Sequence, residues 1–172
     1  QNELDQNGFC VIENILSNDK SDKYINDIWN WLSKLNPNIN RNDPSTFNDF
    51  NWPFNIHGII QHYNIAHQQF VWDIRCEDKV VEIFKNIWND DNLIVSFDCT
   101  CIMKPYIYNS EEYEKKENKK WFHTDQSSLK IGRHCIQGFV NLEDAYDNDG
   151  CLYVIEKSHL YHERLFKEYK NC

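Results

Sequence analysis

The chain has no apolar run approaching the roughly 18 residues that a membrane-spanning helix needs. Its first residues show no signal-peptide pattern. Basic residues are the minority: 18 Lys and Arg stand against 27 Asp and Glu, for a net charge of −9 and a pI near 5.2. Binding along a phosphate backbone needs a basic surface, so nucleic acid is excluded as the main partner. The seven cysteines contain no Cys-x-x-Cys pair and are odd in number, which implies free thiols in a reducing, cytoplasmic setting. Cys99, Cys101 and Cys135 form the one cluster compatible with a zinc site. No internal repeat or linker divides the chain. Its 172 residues, 41% hydrophobic and 15% aromatic, suit a single domain able to bury a core rather than a disordered segment.

Helical spacing dominates the first half. Gly8 to Ile12 reads as a short strand. Ile25, Ile28, Leu32 and Leu35 then recur at helical period, with Ser21 or Asp22 as N-cap and Pro37 beyond the end. Residues 37–56, rich in Asn, Asp and Pro, read as a loop. A second helical pattern holds Ile59, Ile60, Tyr63, Ala66, Phe70 and Val71. A third places Val80, Phe84, Ile87 and Trp88 on one face, opened by Glu77-Asp78, whose charge suits a helix N-terminus. His57, His62 and His67 lie in or beside the second pattern, where packing or surface roles are the default.

The period then changes. Leu93, Val95, Phe97, Cys99, Cys101 and Met103 alternate as in a strand ended by Lys104-Pro105. Residues 109–120 form a charged loop whose Lys115, Lys116, Lys119 and Lys120 offer a local basic patch, read here as solvated. Ile131 to Leu142 predicts a strand with Ile136, Gly138, Val140 and Leu142 on one side. Asp144 to Gly150 predicts a turn, Cys151 to Ile155 another strand, and 158–170 a helix capped by Ser158. Helices followed by antiparallel strands predict an α+β fold, or a β-sandwich with helices packed outside.

Chemistry concentrates at His123-Thr124-Asp125. Two residues apart on a strand, an imidazole and a carboxylate share a face and can hold one edge of an octahedral metal, as in the 2-His-1-carboxylate triad of non-haem iron oxygenases. Seven histidines and abundant aspartate make one His-x-Asp an ordinary coincidence; the order of the surrounding elements gives it weight.

That order resembles the phytanoyl-CoA dioxygenase family of Fe(II)/2-oxoglutarate oxygenases. Asn7-Gly8-Phe9-Cys10-Val11-Ile12-Glu13-Asn14 is similar to the family's opening strand, and Met103-Lys104-Pro105 to the end of the strand before the dyad. Trp121-Phe122-His123-Thr124-Asp125-Gln126 resembles the His-x-Asp segment. Gln137 to Asp144, Asn148-Asp149-Gly150-Cys151-Leu152 and Ser158-His159 resemble the stretch leading to the family's Gly-Ser-His or Gly-Thr-His signature. Lys157 stands where that glycine is usual, and Thr124 where relatives commonly carry Gln.

The resemblance implies a double-stranded β-helix, a cupin-like jelly roll with N-terminal buttressing helices. It implies Fe(II) held by His123 and Asp125, and 2-oxoglutarate lined by Thr124, Thr100 and Phe139. Dioxygen and a small organic substrate would be the other reactants, giving hydroxylation, succinate and carbon dioxide. Related halogenases lose the carboxylate that Asp125 retains. The family's second metal histidine and its oxoglutarate-binding arginine lie beyond the Ser-His signature. They are expected after Cys172, so the single domain over residues 1–172 is expected to be incomplete at its C-terminal end. His159 is an alternative third ligand; His162 and His134 are weaker ones. The rival readings are a non-catalytic jelly-roll binding or scaffold domain without a complete metal site, and a cupin-like metal or sugar binder.

Overall fold

Ser17, one turn earlier than the apolar spacing suggests, starts the longest helix. The computed structural model describes residues 2–104, 122–146 and 149–169. Within it α1 spans Asn2–Asn7 and α2 spans Asn18–Leu35. The Ser17 hydroxyl accepts from the Lys20 N–H at 3.4 Å and Asp19 enters the first turn, both favourable at the positive end of a helix dipole. Those polar residues extend the helix beyond what the apolar positions signal. Asn36 ends it just before Pro37, as expected.

The expected strand at Gly8 to Ile12 is absent. The chain leaves α1 through Gly8, whose φ of +82° and N–H bond to the Leu4 carbonyl (2.9 Å) close the helix. Val11 and Ile12 then run exposed, without a ladder partner among the described residues.

The second helical pattern divides into three elements. Ile59–Ile60 is strand β1, Ile65–His67 is one 3₁₀ turn, and α3 runs Gln69–Arg75. Tyr63 and Asn64 break any continuous helix by taking left-handed backbone. Ile60, Ile65, Phe70 and Val71 nevertheless all reach the core, which is why their spacing imitates one helical face. Helix α4, Asp78–Trp88, matches expectation and ends at Asn89 in the left-handed region.

Nine side chains form the core, drawn from α2 (Tyr24, Trp31, Leu32), the 37–56 loop (Ile39, Trp52), β1 (Ile60) and the segment from Ile65 to Val71. Leu32, Ile60 and Ile65 are essentially inaccessible. The loop is thus no mere connector, since Trp29, Phe47 and Trp52 stack at 5.3–6.2 Å between ring centres. Across the helices Tyr24 Oη donates to Glu77 Oε1 at 2.7 Å and Lys20 Nζ to Glu77 Oε2 at 2.6 Å, tying α2 to the start of α4.

Beyond Val71 no described residue is buried. The sheet contains two strands, β1 and β2 (Thr100–Cys101), antiparallel with Ile59 opposite Cys101 and Ile60 opposite Thr100. Of the alternating segment from Leu93 to Met103, only Thr100–Cys101 is ladder-paired, although the Ile102 N–H continues to the Gly58 carbonyl at 2.9 Å. Residues 131–142 and 151–155 form no strand; Phe139, Leu152 and Tyr153 are about two-thirds exposed. The physical reason is the same at each place: alternation supplies a face to bury, but a strand also requires a neighbour for its backbone groups. The jelly roll is therefore not assembled among the described residues.

A 3₁₀ turn over Ser158–Tyr161 leads into α5, His162–Glu168. Lys157, at φ 62° where the family pattern has glycine, precedes the turn in place of a Ser158 cap. No described helix is long and apolar enough to cross a membrane. The charged 109–120 loop, Pro105, Trp121 and Asn148 lie outside the described residues.

Candidate metal centre

His123 and Asp125 follow one another on an open stretch before the turn at Asp125-Gln126. His123 Nε2 lies 3.5 Å from Asp125 Oδ1, with both side chains about half exposed. Two donors bound at right angles, each about 2.1 Å from a first-row metal, sit about 3.0 Å apart. At 3.5 Å the pair stands slightly wider than that edge.

The support behind the dyad comes from Gln126. Its amide Nε2 donates to the carbonyls of Gly132 (2.8 Å) and Lys130 (3.3 Å), while its Oε1 accepts from the His134 N–H at 2.9 Å. One side chain thus pins both ends of a turn, and Gly132, at φ +80°, supplies the reversal. The Thr124 hydroxyl donates to the Gln126 carbonyl at 3.3 Å. From the other side His162 Nε2 lies 3.3 Å from the same carbonyl, docking α5 beside the dyad. His162, a weaker alternative ligand in the sequence, is instead half-buried against this turn.

The remaining candidates sit elsewhere. His159 turns to α1, its Nε2 at 3.1 Å from the Asp5 carbonyl and its ring packed so closely on Gly8 that a Cβ there would meet Nδ1 at 2.4 Å. The Lys157 N–H bonds the Asn7 carbonyl at 2.8 Å, fixing the same docking. His134 Nε2 bonds the Ile131 carbonyl at 2.9 Å in a turn rather than a strand. Thr100 is half-buried opposite Ile60, and Phe139 is 66% exposed. Among the described residues no three His, Cys, Asp or Glu converge on a metal, so His159 does not complete a triad with the dyad.

Nor do the cysteines among the described residues gather into a zinc site. Burial, then the neighbouring Asp98 carboxylate, pushes the Cys99 thiol up to about 11, and burial also raises Cys101. Both therefore favour the thiol over the metal-binding thiolate. Cys135 is exposed.

Two features escaped the sequence reading. Arg75 Nη1 and Nη2 donate to the carbonyls of Ser96 (3.0 Å) and Cys99 (3.1 Å), fastening the approach to β2 onto α3. A lone arginine at a helix end gives no signal of such long-range bonds. The second is a cavity beside Trp52, whose only hint was the aromatic run Phe50-Asn51-Trp52-Pro53-Phe54.

With the dyad and its surroundings described, comparison with known proteins decides the family. The model of the family described as Phytanoyl-CoA dioxygenase (PhyH) matches residues 4–171. The chain belongs to the phytanoyl-CoA dioxygenase family. A relative described as Ava biosynthesis cluster protein O, from Aspergillus versicolor, is 28% identical over 170 residues, covering 98% of this chain and 53% of its own length. The chain thus spans about half the length of this relative. No solved structure matches. Oxygenase chemistry with Fe(II) and 2-oxoglutarate is general in the family.

Proposed function

We propose that this chain carries the first two metal ligands of an Fe(II)/2-oxoglutarate-dependent dioxygenase that hydroxylates a small organic substrate. The observation that carries the reading is the pairing of His123 Nε2 and Asp125 Oδ1 at 3.5 Å in a chain matched to the family almost end to end. The relative's place in a biosynthesis cluster supports a small-molecule substrate.

His123 would bind through the lone pair of Nε2, keeping its proton on Nδ1, and Asp125 would bind as the carboxylate. Bound iron would supply the coupling of 2-oxoglutarate decarboxylation, by dioxygen, to insertion of oxygen into a substrate C–H bond. The protein's part is to hold and orient. Gln126 and His162 fix the turn that follows the dyad, and Thr124 joins it through its hydroxyl. Thr124, Thr100 and Phe139 are proposed to line the oxoglutarate. A further histidine and an arginine, the latter suited to pair with the distal carboxylate, are proposed to complete the site in the full-length protein. The complete fold is proposed to be a double-stranded β-helix, in a reducing, cytoplasmic setting.

Equilibrium dialysis against Fe(II) without oxygen tests the ligand assignment. Asp125→Ala and His123→Ala should each weaken binding at least tenfold. Unchanged affinity in either variant removes that residue from the site. The second reading is a non-catalytic binding or scaffold domain, favoured by the absence of a third convergent ligand among the described residues. It predicts no specific Fe(II) binding in any form of the protein.

A further inference from the structure

We propose that the cavity beside Trp52 binds a small flat apolar molecule bearing an anionic oxygen group, with Lys104 as its counter-ion. The cavity measures about 390 Å³, within the range of small-molecule sites, and none of its residues is a candidate metal ligand. The inference therefore stands apart from the iron reading.

Its apolar wall is Trp52, Pro53, Phe54 and Met103, and Asp49, Asn55, His57 and Lys104 make up a comparable polar side. Trp52 is 6% exposed and backed by Trp29 and Phe47, which makes that wall rigid. Its indole N–H is buried with no acceptor among the described residues. Met103 is held by two glycines. A Cβ on Gly58 would come 2.6 Å from Met103 Cγ, and one on Gly150 would come 1.8 Å from Met103 Sδ. Any side chain at either place would drive the methionine from its position on the wall. A flat apolar body matches this lining of two aromatic rings, a proline and a thioether.

The charge on the ligand follows from an asymmetric ion pair. Lys104 Nζ contacts Asp49 Oδ1, yet the lysine side chain is 17% exposed and the aspartate 71%. The cation is the sheltered member of the pair, whereas the carboxylate stands mostly in water. An oxyanion entering along the apolar wall would exchange with Asp49 at Lys104 while its apolar body covers Trp52 and Met103. A neutral ligand would gain the wall but not the lysine.

Trp fluorescence titrations with benzoate, phenyl phosphate and neutral benzamide test this on the whole chain. Saturable quenching is expected from benzoate or phenyl phosphate, with the stronger identifying carboxylate or phosphate as the preferred group. Benzamide should bind about tenfold more weakly. Lys104→Gln should weaken the anion about tenfold and leave benzamide unchanged, Lys104→Arg should retain binding, and Asp49→Asn should tighten the anion by removing its competitor. Gly150→Ala should weaken all three probes through Met103. Equal binding of benzoate and benzamide, an anion affinity indifferent to both Lys104→Gln and Asp49→Asn, or no saturable quenching would overturn the proposal.

Discussion

Tyr24→Phe removes one oxygen from a buried junction between helices, and its effect should depend on pH. Tyr24 is 4% exposed and its hydroxyl donates to Glu77 at 2.7 Å, while Lys20, half in solvent, holds the other carboxylate oxygen. Burial, then the bond to Glu77, pushes the Tyr24 phenol up to about 12, so it remains a donor at any working pH. The Lys20 and Tyr24 bonds hold the Glu77 carboxyl below its usual range. A hydrogen bond to a charged acceptor contributes about 1.5–3 kcal/mol, and in a chain of this size each kcal/mol is worth roughly 2–4 °C in Tm. Tyr24→Phe should therefore cost about 2 kcal/mol and lower Tm by about 4–8 °C at pH 7. Lys20→Met, removing the exposed partner, should cost no more than about 1 kcal/mol. Because folding lowers the Glu77 pKa, its contribution is complete above the ordinary glutamate value and is lost as pH falls through the depressed folded value. Urea unfolding at pH 7 and again below pH 4 should show the gap between wild type and Tyr24→Phe narrowing in acid. A variant within about 0.5 kcal/mol of wild type at pH 7, or a gap that widens in acid, would refute the reasoning.

Leu32 is wholly buried, so Leu32→Ala should cost about 3 kcal/mol in chemical denaturation, against less than about 0.5 kcal/mol for Leu129→Ala at an 89% exposed position. Arg75→Ala frees the carbonyls of Ser96 and Cys99 and should speed amide hydrogen exchange at Ile102 and β1, while α2 keeps its protection. Cys99, with its thiol raised to about 11, should react with iodoacetamide at pH 8 well after the exposed Cys135 and Cys151, as read by peptide mass spectrometry.

Local signals and non-local ones fared differently in the sequence. Helices α2 and α4 were legible because an apolar stripe and acidic first turns act within a few residues of each other. The pattern from Ile59 to Val71 misled because burial into one core from a strand, a turn and a helix leaves the same spacing as a single helical face. The alternating segments at 93–103, 131–142 and 151–155 encode two-faced backbone, but pairing depends on residues far away, and here only Thr100–Cys101 meets a partner. His123 and Asp125 were singled out as neighbours on one strand face; they do lie 3.5 Å apart, but on a non-strand stretch leading into a bend. The positioning residues were not: Gln126 and His162 act through backbone carbonyls and amides, which leave no trace in residue type. His159, attractive in the sequence, is claimed by α1 through the Asp5 carbonyl and the bare Gly8.

Anaerobic titration of Fe(II) in the presence and absence of 2-oxoglutarate tests the central claim most directly, because the chelate gives a weak visible charge-transfer band only when metal, protein and oxoglutarate assemble together. The account predicts that the full-length protein shows the band and that His123→Ala or Asp125→Ala abolishes it. A band that survives both substitutions, or none in the full-length protein, would contradict it.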